Sequence, residues 1–223
     1  MDLYYLVLVV PALLLSMWAQ FKVKSTFTKY SKISCSRHIT GQGAAALLMD
    51  ANRIKDVKIE PVKGSLTDHY APSTKMLRLS EPVFGSSSIA AVGVAAHETG
   101  HAIQHAVHYG PLGLRSALVP VANIGSSLGP WMAMAGIFLS FPLIINIGII
   151  LFCGAVLFYI ITLPVEFNAS NRAIEILRSC NVLTEEELKG VKKVLSAAAL
   201  TYVASALTAM ANLIRLVLIS RKR

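Results

Sequence analysis

The chain has 223 residues, 54% of them hydrophobic, with a formal net charge of +9 and a positive mean hydropathy. That is more apolar than a water-soluble domain of this size needs for its core, which excludes an ordinary soluble globule and points to a membrane protein. The positive charge would fit nucleic acid in a soluble protein, but here it follows the pattern of membrane topology, so no nucleic-acid partner is required.

Residues 3–21 carry no charge and are long enough to cross a bilayer. Asp2 stands where a signal peptide has Lys or Arg, and no small-residue cleavage pattern follows, so residues 1–21 read as a retained anchor. A basic, Ser/Thr-rich linker with Lys22, Lys24, Lys29, Lys32 and Arg37 comes next, and it can also attract anionic lipid. Cys35, Cys153 and Cys180 are too scattered for a disulfide framework and form no CxxC pair. A reducing compartment, no thiolate zinc site and packing in apolar surroundings are expected for them.

The helix formers from Ala44 to Met49, preceded by Thr40 and Gly41, predict a short helix over 41–53. Residues 56–62 alternate as a strand does, and residues 66–70 and 75–80 flank a turn at 71–74, which predicts a hairpin in a small sheet. From Ser86 to His108 the chain is rich in Ala and Gly and free of proline, and reads as one helix with Ser86 to Ser88 capping it. Residues 116–165 carry no charge and predict a hairpin of spans over 118–140 and 143–163, turning at Phe141 and Pro142. A separate soluble helix is expected from Val165 to Ser179, and Thr184 with Glu187 forms a capping box that starts the last helix. Its apolar stretch, 194–219, is interrupted by Arg215 and followed by Arg221, Lys222 and Arg223, so it is expected to pack on other helices or lie at the interface rather than cross. The chain thus divides into an anchor (1–21), a cytoplasmic part (22–115), a transmembrane hairpin (116–164) and C-terminal helices (165–223). The positive-inside rule places the N-terminus outside the cell and residues 22–115 in the cytoplasm of a multi-pass cell-membrane protein.

The string His97-Glu98-Thr99-Gly100-His101 is an HExxH. On a helix, residues four apart lie one turn above each other, so both imidazoles reach one cation while Glu98 serves as general base toward a water at that metal. Imidazole and carboxylate donors favour a single zinc ion, and an accidental match in a chain of this length is rare. A catalytic zinc needs a third protein ligand. His105 stands about 12 Å along the helix axis from His97, too far to share a metal. A metzincin-type turn needs Gly at 104 and His at 107, where Gln104 and Val107 stand. Glu166, the first acidic residue after the spans, fits a ligand from a later helix. The other reading of Glu166 is a charge at a helix N-terminus just after Pro164. Gly93 and Gly100 are expected to permit close helix packing.

The strings VAAHETGHAIQH (94–105), TDHYAPSTKMLRLS (67–80) and LPVEFNASNRAIEIL (163–177) resemble the YugP-type neutral zinc metallopeptidases of bacterial membranes over nearly the whole chain. More distantly the layout is similar to HtpX-like membrane proteases and CAAX prenyl proteases, gluzincins in which a downstream glutamate of an ExxAD pattern completes the zinc site and its aspartate steadies a zinc histidine. The resemblance carries the ligand role to Glu166. Ser170 occupies the aspartate position, leaving Asn168, Ser170 or Asn171 to orient the histidine. It also implies that the strand before the HExxH helix binds substrate main chain, with Asp68, His69 and Tyr70 as candidates against ordinary strand residues. His69, Tyr109 or Arg172 could supply the electrophile.

The expectation is a mainly α membrane protein: an anchor helix, a small cytoplasmic α+β zincin-like part with a short sheet, a transmembrane hairpin and C-terminal helices. Its expected activity is that of a zinc-dependent endopeptidase of the cytoplasmic membrane face, acting on protein or peptide with the bilayer as its other partner. An intramembrane site-2-type protease is disfavoured because no Asp lies in the middle spans, and a non-catalytic zinc scaffold because it has no use for Glu98.

Overall fold

The computed structural model describes residues 2–221, which are mainly helical with one small sheet. The chain forms two compact units: Phe21–Tyr109 with Val165–Ala199, and Met1–Gln20 with Gly110–Pro164 and Leu200–Arg223.

In the first of these units, helix α2 (Gly41–Ala51) starts at Thr40, whose side chain accepts from the Gly43 N–H. Strands β1 (Lys58–Val62), β2 (His69–Ala71) and β3 (Met76–Ser80) make a sheet in the order β1-β3-β2. The expected hairpin is present, β2 antiparallel to β3 with Tyr70 opposite Leu77, while β1 joins the other side of β3 in parallel. A four-residue helix, α3 (Glu81–Phe84), follows with Pro82 in its first turn, where no N–H is needed. The proline-free stretch then forms α4 (Ile89–Ala106), three residues later than expected, because Ser88 is the N-cap and accepts from the Ala91 N–H at 3.1 Å.

Helix α4 is the centre of this unit. Ala91, Ala95, Ala102 and Ile103 pack with Leu77, Leu79, Val83 and Met49 on one side. Ile89, Val92 and Ala96 pack with Leu177, Leu188 and Val191 on the other. Alanine at so many buried positions lets neighbouring elements approach closely, and dispersion is lost wherever such an approach fails. Cys35 belongs to the second cluster, as expected, whereas Cys153 is exposed.

Two boundaries differ from the sequence reading. Helix α1 (Val10–Tyr30), entered through a π-helical turn (Tyr5–Val9), runs through most of the supposed linker. No Gly or Pro interrupts it there, and its last turns are anchored by Phe27 and the buried Tyr30 against the core. Helix α6 (Pro142–Ser179) passes straight through Pro164, so no separate helix starts at Val165. A proline removes one backbone donor, and the fully buried Val165 and Ala169 supply packing beyond it. Glu166 is therefore not at a helix N-terminus, and the macrodipole reading of it falls away.

In the other unit, α5 (Gly110–Leu139) and the first part of α6 form the expected hairpin, turning at Ser140 and Phe141. A Cβ at Gly125 would collide with the Leu151 carbonyl, so this hairpin depends on glycine for its backbone approach. The capping box at Thr184 and Glu187 starts α7 (Glu185–Ser220), with the Thr184 N–H donating to Glu187 at 2.7 Å. The later part of α7 packs on other helices: Ala209 and Leu216 join Ala133, Phe152 and Ala155. It runs antiparallel to the start of α1, since Ser16 meets Thr208 at 3.1 Å and Arg215 pairs with Asp2 at 2.7 Å.

Among the described residues, three helical stretches are long and apolar enough to cross a membrane: Tyr5–Tyr30, Pro142–Ser179 and Glu185–Ser220. The last helix, expected to stay at the interface, is thus among them, and α5, expected to hold the span over 118–140, is not, because Asn123, its serines, its glycines and two internal prolines lower its hydropathy.

Because Ser88 is 3% exposed and caps the central helix, Ser88→Ala should cost about 1 kcal/mol. Thermal unfolding in detergent should show a Tm lower by about 2–4 °C.

Candidate metal centre

The one-turn spacing on α4 places His97 and His101 side by side, with ring centroids 4.8 Å apart and planes at 83°. Glu166 of α6 reaches both: its Oε2 is 3.2 Å from His97 Nε2 and its Oε1 is 3.6 Å from His101 Nε2. One donor atom from each of the three residues falls within 4.8 Å of the others. Gly100 makes this possible, because a Cβ there would stand 2.6 Å from the Ala169 carbonyl oxygen and push α4 off α6.

The outward ring nitrogens are held as well. His97 Nδ1 is 3.1 Å from Ser170 Oγ, so of Asn168, Ser170 and Asn171 it is Ser170 that contacts this histidine, and Asn171 is exposed. His101 Nδ1 is 3.0 Å from Oε1 of the fully buried Gln104. The Gln104 amide can lie only one way round, since its Nε2 donates to the Val165 carbonyl at 2.8 Å and to Asn168 Oδ1 at 3.0 Å. Its Oε1 must therefore accept from His101 Nδ1–H, so that in the neutral ring the lone pair lies on Nε2, the nitrogen that faces Glu166. Asn168 in turn accepts from Arg172 Nε at 2.8 Å. Gln104 entered the sequence reading only as the residue that rules out a metzincin turn. Its position three residues after His101, on the same face of α4, was the available signal.

Glu98, 8% exposed, is not part of the ligand-like trio. Its Oε2 accepts from the Tyr70 backbone N–H at 3.0 Å, which points that N–H of the edge strand β2 at the site rather than at β3. Tyr70 is itself buried, and its hydroxyl lies 2.8 Å from His105 Nδ1, two turns along α4 from Glu98. Tyr70 thus touches the site through its main chain, and its side chain is engaged elsewhere. Asp68 accepts from the Ser80 N–H and hydroxyl at 2.7 and 2.8 Å, closing the hairpin. The His69 side chain is exposed beside the Thr67 carbonyl at 2.8 Å.

Burial works against a proton on His101, but its hydrogen bond with Glu166 and the charge of Glu98 outweigh this and raise its pKa above the ordinary imidazole value.

A family model described as "Putative neutral zinc metallopeptidase" matches residues 5–221. The chain belongs to this family. Among curated proteins, the putative membrane protease YugP of Bacillus subtilis (strain 168) is 51% identical over 215 residues, covering 96% of each chain. No solved structure matches. The family's name implies zinc, and the donor set fits it: two imidazole nitrogens and a carboxylate converge, each imidazole has its other nitrogen bonded, and no buried side-chain polar atom among the described residues lacks a partner.

Removing the bond to His97 by Ser170→Ala should weaken zinc binding about 10-fold, measured by chelator competition, with the fold retained. Because His101 keeps its proton to higher pH than a free imidazole and must lose it to bind metal, zinc affinity should begin to weaken, on lowering the pH, above the point where free imidazole protonates. Zinc competition titrations across pH 6–8 check this, with proton release on loading as the second readout.

Proposed function

We propose that this chain is a membrane-bound zinc-dependent endopeptidase of the gluzincin type, in which His97, His101 and Glu166 hold one zinc ion and Glu98 is the general base. The reading rests on one observation: the HExxH imidazoles and a distant carboxylate converge, with a second buried carboxylate beside them that is bonded only to a backbone N–H. The family and the relative's name support the reaction class.

Zinc held by such a set supplies Lewis acidity, polarising a peptide carbonyl and bringing the pKa of its water to about 7. The chain's own groups do the rest. Gln104 fixes the His101 tautomer, and Ser170 holds the orientation of the His97 ring. Glu98, oriented by the Tyr70 N–H, takes the proton from the attacking water and passes it to the departing amine nitrogen. The outer edge of β2 pairs with the main chain of an extended substrate, which binds peptides with little regard to their side chains. Asp68 and His69 contribute through that strand's backbone and through the hairpin geometry that Asp68 maintains.

The site belongs at the cytoplasmic face, with the N-terminus outside. Support comes from the lysines that follow the charge-free start of α1 and from the charge-free run 116–165. On this topology α7, antiparallel to α1 and long and apolar enough to span, crosses the membrane from inside to outside, against the expectation drawn from Arg215 and the basic C-terminal residues; the Asp2–Arg215 pair neutralises both charges.

Glu98→Gln should abolish chelator-sensitive cleavage of a casein-like substrate while zinc content by metal analysis stays at wild-type level. Activity equal to wild type removes Glu98 from the mechanism. Glu166→Ala should lower zinc content, and an unchanged content assigns the third ligand elsewhere.

A further inference from the structure

A shallow groove of about 590 Å³ lies along α1, lined by Phe21, Lys24, Ser25, Thr28, Lys29 and Lys32. Phe21, Lys24, Ser25 and Thr28 recur at helical spacing and share one face of α1, and Lys32 follows in the turn just past its end. That face became visible only because α1 continues as a helix through what reads in the sequence as a linker. Among the described residues, no carboxylate pairs with Lys24, Lys29 or Lys32, and the one charge-related contact any of them makes is Lys29 Nζ at 5.7 Å from the Tyr30 ring centroid. Ser25 Oγ donates to the Lys22 carbonyl at 3.1 Å and keeps its lone pairs, and the Thr28 hydroxyl is exposed.

We propose that this groove is a binding site for the phosphate diester headgroup of an anionic phospholipid. Three exposed ammonium groups without a carboxylate partner among the described residues favour an anion, and hydroxyls between them suit phosphate oxygens, which accept from both donor types. The groove begins at Phe21, 71% exposed, at the last residue of the charge-free run. An amphiphile with acyl chains beside Phe21 and its phosphate one to three turns along the helix matches that order; a soluble anion leaves Phe21 without a partner. The positive-inside rule accounts for basic residues anywhere in this stretch, but not for their sharing one groove with two hydroxyls. The site rests on the reading of α1 as a membrane span.

The test uses the full-length protein in detergent, titrated with phosphatidylglycerol or phosphatidylcholine and read by native mass spectrometry as lipid retained. Wild type should retain phosphatidylglycerol selectively, and Lys24→Gln/Lys32→Gln should weaken retention about 10-fold or more. Lys22→Gln removes a neighbouring charge outside the groove and should change it less than about twofold if the groove, rather than general basicity, is the binding site. Equal retention by wild type and the double variant overturns the proposal, as does a Lys22→Gln loss greater than about twofold. Competition by soluble glycerol phosphate at concentrations comparable to the lipid overturns the lipid assignment. Failure of the membrane reading shows separately, as release of wild type from neutral phosphatidylcholine vesicles by alkaline wash.

Discussion

The candidate site depends on how closely two helices approach. Two imidazoles on one face of α4 are a common consequence of helical spacing and bind nothing well alone. They become a three-donor set because α6 lies against α4 at Gly100, where the missing side chain admits the Ala169 carbonyl. A side chain at 100 forces the helices apart at the Ala169 carbonyl and draws Glu166 away from both Nε2 atoms. The packing of α4 on both faces keeps this crossing rigid, because alanine-rich contacts leave little room for a neighbour to shift.

Behind the crossing stands a second layer of hydrogen bonds that fixes what the imidazoles present. Gln104 is held by α6 through Val165 and Asn168 and returns that constraint to His101 on its own helix. Ser170, also on α6, does the same for His97. Both ring orientations are therefore referred to the helix that carries Glu166, so the three donors keep their relation if α4 and α6 move together.

The HExxH and its helix were legible because they are local: helical periodicity puts His97 and His101 together whatever the tertiary fold. The hairpin, the α2 and α7 caps and the turn at Phe141 were legible for the same reason, since side-chain-to-backbone bonds over three or four residues leave a signature in sequence. The parallel pairing of β1 with β3 was not, because it closes over intervening chain that carries no mark of it. Helix continuity was misjudged twice. Lysine and serine between 22 and 30 read as linker although neither breaks a helix, and Pro164 read as a start although packing on both sides of it carries α6 through. The Tyr70 contact with Glu98 lay out of reach, since it uses a backbone donor whose direction depends on which edge of the sheet pairs.

Two carboxylates are buried within this one site, and their surroundings separate their roles. Both oxygens of Glu166 face imidazole nitrogens, so a cation among those atoms meets the carboxylate directly. Glu98 shares its charge with a single neutral N–H from Tyr70, a far weaker partner than a metal ion. Once a divalent cation occupies the trio, Glu166 and the imidazoles are committed to it, and Glu98 remains the one carboxylate with basic lone pairs to offer a proton. The division follows from which side of α4 each residue addresses: Glu166 meets the histidines from α6, while Glu98 is turned toward the edge strand, where an extended peptide would lie.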